Sequence, residues 1–107
     1  MYRCAEIDPT GAYRYTLERT WDGGLPCIGW IMLNPSTADA TQDDPTIRRC
    51  IRFSQSWGYG SLIVVNLFAH RATSPKDLFQ AESPVGPNND RYIRYTWALC
   101  GSLIAAW

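Results

Sequence analysis

The chain has 107 residues, near the modal size of one domain, so it can bury a single modest core and no second domain is expected. Ten basic and ten acidic residues balance to a formal net charge of zero, which excludes nucleic-acid binding through the field of the whole molecule and leaves only a local basic patch for that task. No stretch combines a basic start, an apolar run and a cleavage site, and none approaches the roughly 20 apolar residues that span a bilayer, so a cytoplasmic protein without membrane contact is expected.

In chain order, residues 2–7 and 13–20 flank Asp8-Pro9-Thr10-Gly11, a strong turn signal, and predict a β-hairpin. In the second run Tyr13, Tyr15 and Leu17 alternate with Arg14, Thr16 and Glu18, the period of a strand with one packed and one wet face. Trp21-Asp22-Gly23-Gly24 ends the hairpin, and Pro26 sets the entry to the next strand. Residues 27–33 are apolar apart from Gly29, which predicts a central strand covered on both faces. Residues 34–44 form a loop of small polar side chains, longer than the usual connection between a strand and its helix, and such loops are often functional.

Asp44 followed by Pro45 supplies an N-cap and a first-turn proline, so a helix starts there and runs to about residue 57 or 58. Ile47, Cys50, Ile51 and Ser54 form its inner face, with Phe53 and Trp57 on the shoulder. Arg48, Arg49 and Arg52 gather opposite, which reads first as a solvated basic face. Gly58-Tyr59-Gly60 stops the helix, and residues 62–65 predict a buried parallel strand with Asn66 at its end. Ser74-Pro75 cap a short helix to about residue 81, and Ser83-Pro84-Val85-Gly86-Pro87 is a turn-rich linker. Residues 88–100 predict a final helix, with Tyr92, Ile93 and Trp97 toward the core and Gly101 closing it; residues 102–107 read as another buried strand.

Strands joined through a helix lie parallel with a right-handed crossover, so the strands on either side of the Asp44 helix finish on the same rim of the sheet. Open α/β sheets bind ligands at that rim, which places Asn34, Pro35, Ser36 and Thr37 across one crevice from Asn66, His70 and Arg71. An amide fixed at a strand end can hold water against a reacting carbon or read a base edge. The plainer reading is that Asn34 and Ser36 close the turn around Pro35 and that Asn66 bonds a neighbouring loop. His70 is the only histidine, a general acid or base without a visible carboxylate partner. Asp39, Asp43 and Asp44 could activate water or hold a divalent ion, but Asp44 reads more simply as a cap and the other two as solvated loop acids. The four cysteines, Cys4, Cys27, Cys50 and Cys100, show no CxxC pair or regular spacing, which argues against a zinc site, an iron–sulfur site or a disulfide framework; they read as buried thiols in a reducing compartment. No Gly-rich phosphate loop or local Ser, His and Asp signature appears.

Leu33-Asn34-Pro35-Ser36-Thr37-Ala38-Asp39, Asp44-Pro45-Thr46-Ile47-Arg48-Arg49, Val65-Asn66-Leu67-Phe68-Ala69 with Arg71-Ala72-Thr73, and Pro84-Val85-Gly86-Pro87 with Asn89-Asp90 resemble the bacterial domain-of-unknown-function family 1643 (DUF1643). That family has no established activity. More distantly, the strand followed by Asn34-Pro35-Ser36 is similar to the first motif of the uracil-DNA glycosylase superfamily, where in some branches an Asn positions the attacking water. Leu62-Ile63-Val64-Val65-Asn66 with Arg71-Ala72 resembles the superfamily strand whose terminal Asn reads a flipped uracil, and Leu103-Ile104-Ala105-Ala106-Trp107 resembles the next strand.

The expected fold is a three-layer α/β/α domain over residues 1–107, with a mainly parallel sheet and an N-terminal antiparallel hairpin. The resemblance implies Asn34 as the catalytic residue and Pro35, Ser36, Thr37, Asn66, Phe68, His70 and Arg71 as substrate-binding residues, Phe68 or His70 substituting for the stacking aromatic. Arg48, Arg49 and Arg52 would meet a nucleic-acid backbone, the partner would be DNA, a nucleobase or a nucleotide, and no metal or cofactor is expected. Met32 and Ser36 stand where the Asn-containing branch has glycines, and the superfamily's late His-Pro-Ser motif has no counterpart. The resemblance therefore implies a chain truncated at its C-terminus or reduced, poorly stable alone and without glycosylase activity. A non-catalytic nucleotide or nucleic-acid binding module is the alternative, and an interaction domain whose rim residues only close turns is a third.

Overall fold

A computed structural model describes residues 1–71 and 83–106; the helix expected over residues 74–81 and the terminal Trp107 lie outside the described residues. The elements are β1 (Tyr2–Ile7), β2 (Arg14–Thr20), β3 (Cys27–Met32), α1 (Pro45–Ser56), β4 (Ser61–Asn66), α2 (Asn89–Cys100) and β5 (Leu103–Ala105). They form a mixed α/β fold around one sheet of order β1-β2-β4-β3-β5.

β3 and β4, joined through α1, run parallel from Cys27↔Ser61 to Met32↔Asn66, as the crossover requires. β5 adds parallel to the other side of β3. The hairpin is not an addition to a mainly parallel sheet but its antiparallel half, since β1 pairs with β2 and β2 with β4, dividing the four pairings equally. The crossover leaves one edge of β4 open, and the chain after β2 is tied to that strand's entry, where Gly60 O accepts from the N–H groups of Trp21 and Asp22 at 2.9 and 3.0 Å. β4 is thus the middle strand, and Leu62, Ile63, Val64 and Val65 are all buried.

β2 lacks the wet face that its alternation predicts: Arg14, Tyr15, Thr16, Leu17 and Arg19 are all buried. It lies between two strands, and its register with β1 slips, Glu6 facing Thr16 while Ile7 faces Arg14, so Tyr15 is the extra residue of a β-bulge. The bulge breaks the two-residue period. Tyr15 stacks on Tyr92 of α2 with centroids 4.9 Å apart, whereas Leu17 joins the core beneath α1.

α1 starts as its sequence predicts, with Asp44 Oδ1 accepting from Ile47 N–H at 2.9 Å and Pro45 in the first turn. Ile47, Cys50 and Ile51 pack on Leu17, Ile28, Trp30, Leu62 and Val64. Ser54 belongs to that face because its Oγ accepts from Trp30 Nε1–H at 3.0 Å. α2 approaches the opposite face, where Thr96 Cγ2 would lie 3.3 Å from a Cβ built on Gly29. That close approach admits only a small side chain, so Thr96 is buried there and the expected core residue Trp97 is 56% exposed; Asn89, also buried, donates from Nδ2 to Asn66 O and Leu67 O. β5 is a half-buried edge strand rather than a buried one, because only β3 flanks it among the described residues.

The side chain of Arg19 has no solvent exposure and ties three parts of the chain together. Nε donates to Asp43 Oδ1 at 2.7 Å, Nη1 to the carbonyls of Glu18 at 2.8 Å and Cys4 at 3.4 Å, and Nη2 to those of Asp39 at 2.6 Å and Gln42 at 3.2 Å. Burial raises the Asp43 carboxyl, but hydrogen bonds and charge from Arg19 and Arg3 outweigh it and hold the group below the ordinary 3.8. A depressed carboxylate contributes stability that is present above its unfolded pKa and is lost as pH falls through the folded one. Stability in urea should therefore fall on acidification below about pH 4. Asp43→Asn should lose about 2 kcal/mol at pH 7 and show a shallower acid slope; equal slopes would remove Asp43 from this role.

Candidate functional site

Past their last ladder pair β3 and β4 remain joined, with Leu67 N–H donating to Met32 O at 2.9 Å and Phe68 N–H to Leu33 O at 3.0 Å. Asn34 and Asn66 therefore leave the sheet at the same rim. Strand alternation puts the Asn66 side chain on the face of Leu62 and Val64, the face covered by α1. The 34–44 loop is fixed above this end through Ala38, whose O accepts from Arg14 Nη1 and whose N–H donates to Asp44 Oδ2, both at 3.0 Å. Arg14 N–H donates to Ala69 O at 3.0 Å, joining the start of β2 to the segment that follows β4.

Within this frame the Asn66 side chain is 0% exposed, and among the described residues neither Oδ1 nor Nδ2 has a hydrogen-bond partner. Its backbone O is occupied, accepting from Asn89 Nδ2 at 2.7 Å. A buried unpaired donor or acceptor destabilises by about 1–3 kcal/mol, so Asn66 is a poor choice for folding alone. Arg14, on the neighbouring strand, is 2% exposed with Nε unpartnered. Burial pulls its pKa down to about 10, the Asp44 charge opposing and those of Arg71 and Arg19 adding to the fall. His70 Nδ1 is also buried without a partner among the described residues, and the ring meets Tyr13 edge-on with centroids 5.7 Å apart.

Asn34 is half-buried, and its Nδ2 donates to Pro35 O at 3.1 Å, so part of the amide closes its own turn. Pro35 is buried, Ser36 and Thr37 are exposed, and Phe68 is half-buried. Arg71 N–H donates to Ala12 O at 2.8 Å, which anchors the segment after β4 to the hairpin. Arg48, Arg49 and Arg52 are exposed on α1, where Arg48 and Arg52 line a surface groove of about 410 Å³ with Met1, Asp43 and Ile51, and Arg49 and Arg52 line one of about 390 Å³ with Phe53 and Ser56. The fold thus gathers Asn34 and Asn66 at the strand ends, with Phe68, His70 and Arg71 on the following segment, and sets the three arginines apart.

Sequence reasoning missed Arg14 because simple alternation assigned it to solvent; an arginine between tyrosines in an otherwise packed strand was the available signal. It also missed a groove of about 390 Å³ between the hairpin and α2, lined by Cys4, Glu6, Thr16, Glu18, Arg91, Tyr92 and Tyr95. There burial pushes the Glu18 carboxyl up, and the charge of Glu6 adds to the rise. Among the described residues no group of three or more His, Cys, Asp or Glu is placed to hold a metal, and no helix is long and apolar enough to cross a membrane.

Asn66→Leu removes the two buried amide atoms and should stabilise the chain without ligand by about 1–3 kcal/mol in urea unfolding. A loss of similar size would show that the amide is satisfied in the native chain.

The family model described as a protein of unknown function (DUF1643) matches residues 14–107. No curated protein and no solved structure matches the chain.

Proposed function

The chain belongs to the DUF1643 family, on a match over residues 14–107, and because that family names no activity we propose from the site itself that it is a nucleobase- or nucleotide-binding domain whose Asn66 reads the base edge. The observation that carries this reading is the buried amide of Asn66, with both polar atoms unpartnered among the described residues. A carboxamide offers a donor and an acceptor side by side, the complement of the ring carbonyl and ring N–H of uracil, thymine or guanine. A base with that edge satisfies the donor and acceptor of the buried amide, whereas an apolar ring of the same size does not, which is a source of strong discrimination. Phe68 and His70 are the aromatic rings suited to stacking, and Arg14 and Arg71 supply positive charge for a phosphate. Because Asn66 has no exposure, a base reaches the amide only when a segment covering this end of β4 moves aside. Four free thiols favour a reducing, cytoplasmic setting.

A second reading keeps the three-layer uracil-DNA glycosylase likeness. Asn34 would orient water against the N-glycosidic carbon of a flipped base, while Arg48, Arg49 and Arg52 met phosphates. It is favoured by Asn34 sharing a rim with Asn66 and disfavoured by the donation of Asn34 Nδ2 to Pro35 O, which suits a turn more than a reacting centre.

Calorimetric titration of the chain with the five common bases and their nucleotides separates these readings from a purely structural rim. Binding is expected for ligands with adjacent carbonyl and N–H groups, weakened about tenfold or more in Asn66→Leu. Absence of binding across the panel would overturn the proposal. Incubation with uracil-containing single- and double-stranded oligonucleotides should produce no abasic sites; cleavage above a buffer control would establish the second reading. In that event replacing Arg48, Arg49 and Arg52 with Ala should weaken oligonucleotide binding across sequences and flatten its salt dependence.

A further inference from the structure

Cys100 is the last residue of α2, and Cys27 is the first of β3. Gly101, at φ 73°, reverses the chain after Cys100, so that Ser102 O accepts from Gly29 N–H at 3.1 Å and β5 aligns beside β3 with Gly29 opposite Leu103. That turn brings the end of α2 onto the start of β3 and sets the two sulfur atoms 2.6 Å apart, both side chains half-buried and so partly open to solvent. The other cysteines are elsewhere: Cys50 is buried under α1, and Cys4 is on β1, three strands from β3.

We propose that Cys27 and Cys100 form a thiol–disulfide exchange site for a small disulfide such as oxidised glutathione, closing to an intramolecular bond that fastens α2 and β5 to β3. In the first step the Cys27 thiolate attacks one sulfur of the small disulfide, whose S–S bond breaks to release one thiolate and leave a mixed disulfide on Cys27. In the second step Cys100 passes its proton to the released thiolate and attacks Cys27 Sγ, expelling the second half of the small disulfide as a thiolate that takes its proton from water. Two protein thiols are oxidised and one disulfide is reduced to two thiols, with no further oxidant.

The order of attack follows from the surroundings of each sulfur. The contact with Cys100, with Ser61 adding to it, outweighs burial and brings Cys27 down to about 7. The same contact, together with burial, drives Cys100 up, so Cys27 is the attacking group and Cys100 the resolving one.

The test uses the full chain incubated with oxidised glutathione and read by intact mass, peptide mapping without reductant, and thermal unfolding. The expected result is loss of two hydrogen atoms, one cross-linked peptide joining Cys27 to Cys100, and a Tm raised by roughly 10 °C and restored by dithiothreitol. Cys100→Ser should trap glutathione on Cys27, and Cys27→Ser should leave Cys100 unmodified over the same time. A cross-link through Cys4 or Cys50, stable glutathione adducts without the internal bond, or no reaction would each overturn the proposal. The wild-type peptide map decides the matter even if a serine variant does not fold.

Discussion

A guanidinium cut off from water needs internal partners for its donors, and the placing of Arg19 shapes everything near the site. Its partners come from β1, from β2 and from three residues of the 34–44 loop, so a segment without regular structure is as firmly located as a strand. Arg14 and Asp44 repeat the device at Ala38, Arg14 donating to its carbonyl and Asp44 accepting from its N–H. Asp44 serves twice, capping α1 with one oxygen and holding the loop with the other. Removing a partner would leave charge buried and unpaired, which is more damaging than the loss of an exposed ion pair.

Against this well-satisfied frame, the unsatisfied polar atoms carry information. Among the described residues, both amide atoms of Asn66 on β4, Arg14 Nε at the start of β2 and His70 Nδ1 on the segment after β4 are unpaired. Asn89 Oδ1 and Thr96 Oγ1, also unpaired among the described residues, belong to α2. A sequence selected for folding alone would place an aliphatic residue after Val64 and Val65, and the amide there sets recognition against stability. Asn34 differs, since its side chain already has a local partner, and for that reason the proposed role rests on Asn66.

Much of the framework was legible. The Asp44-Pro45 start, the inner face of α1 and the parallel crossover all follow from local chemistry, and together they put Asn34 and Asn66 on one rim. What escaped depends on distant parts of the chain. The bulge at Tyr15 arises from pairing with β1 and reverses the facing of Arg14, which period-two reasoning cannot see. The hairpin's docking on β4 depends on which edge the crossover leaves open, and that made the sheet mixed rather than mainly parallel. Hydrophobicity favoured Trp97 for the core, yet the close approach of α2 to Gly29 selects Thr96. Cys27 and Cys100 are 73 residues apart, and no spacing rule joins them.

The central claim is that Asn66 is held buried and unpaired for a ligand, and its side-chain amide resonance in a ¹H–¹⁵N NMR titration with uracil and uridine monophosphate tests it most directly. Without ligand the two amide protons should resonate where a carboxamide lacking hydrogen bonds does, and one of them should move downfield and saturate as the base binds, while the side-chain amide of Gln55, exposed on α1, stays in place. An Asn66 resonance already shifted in the free chain, or one that no base moves, would contradict it.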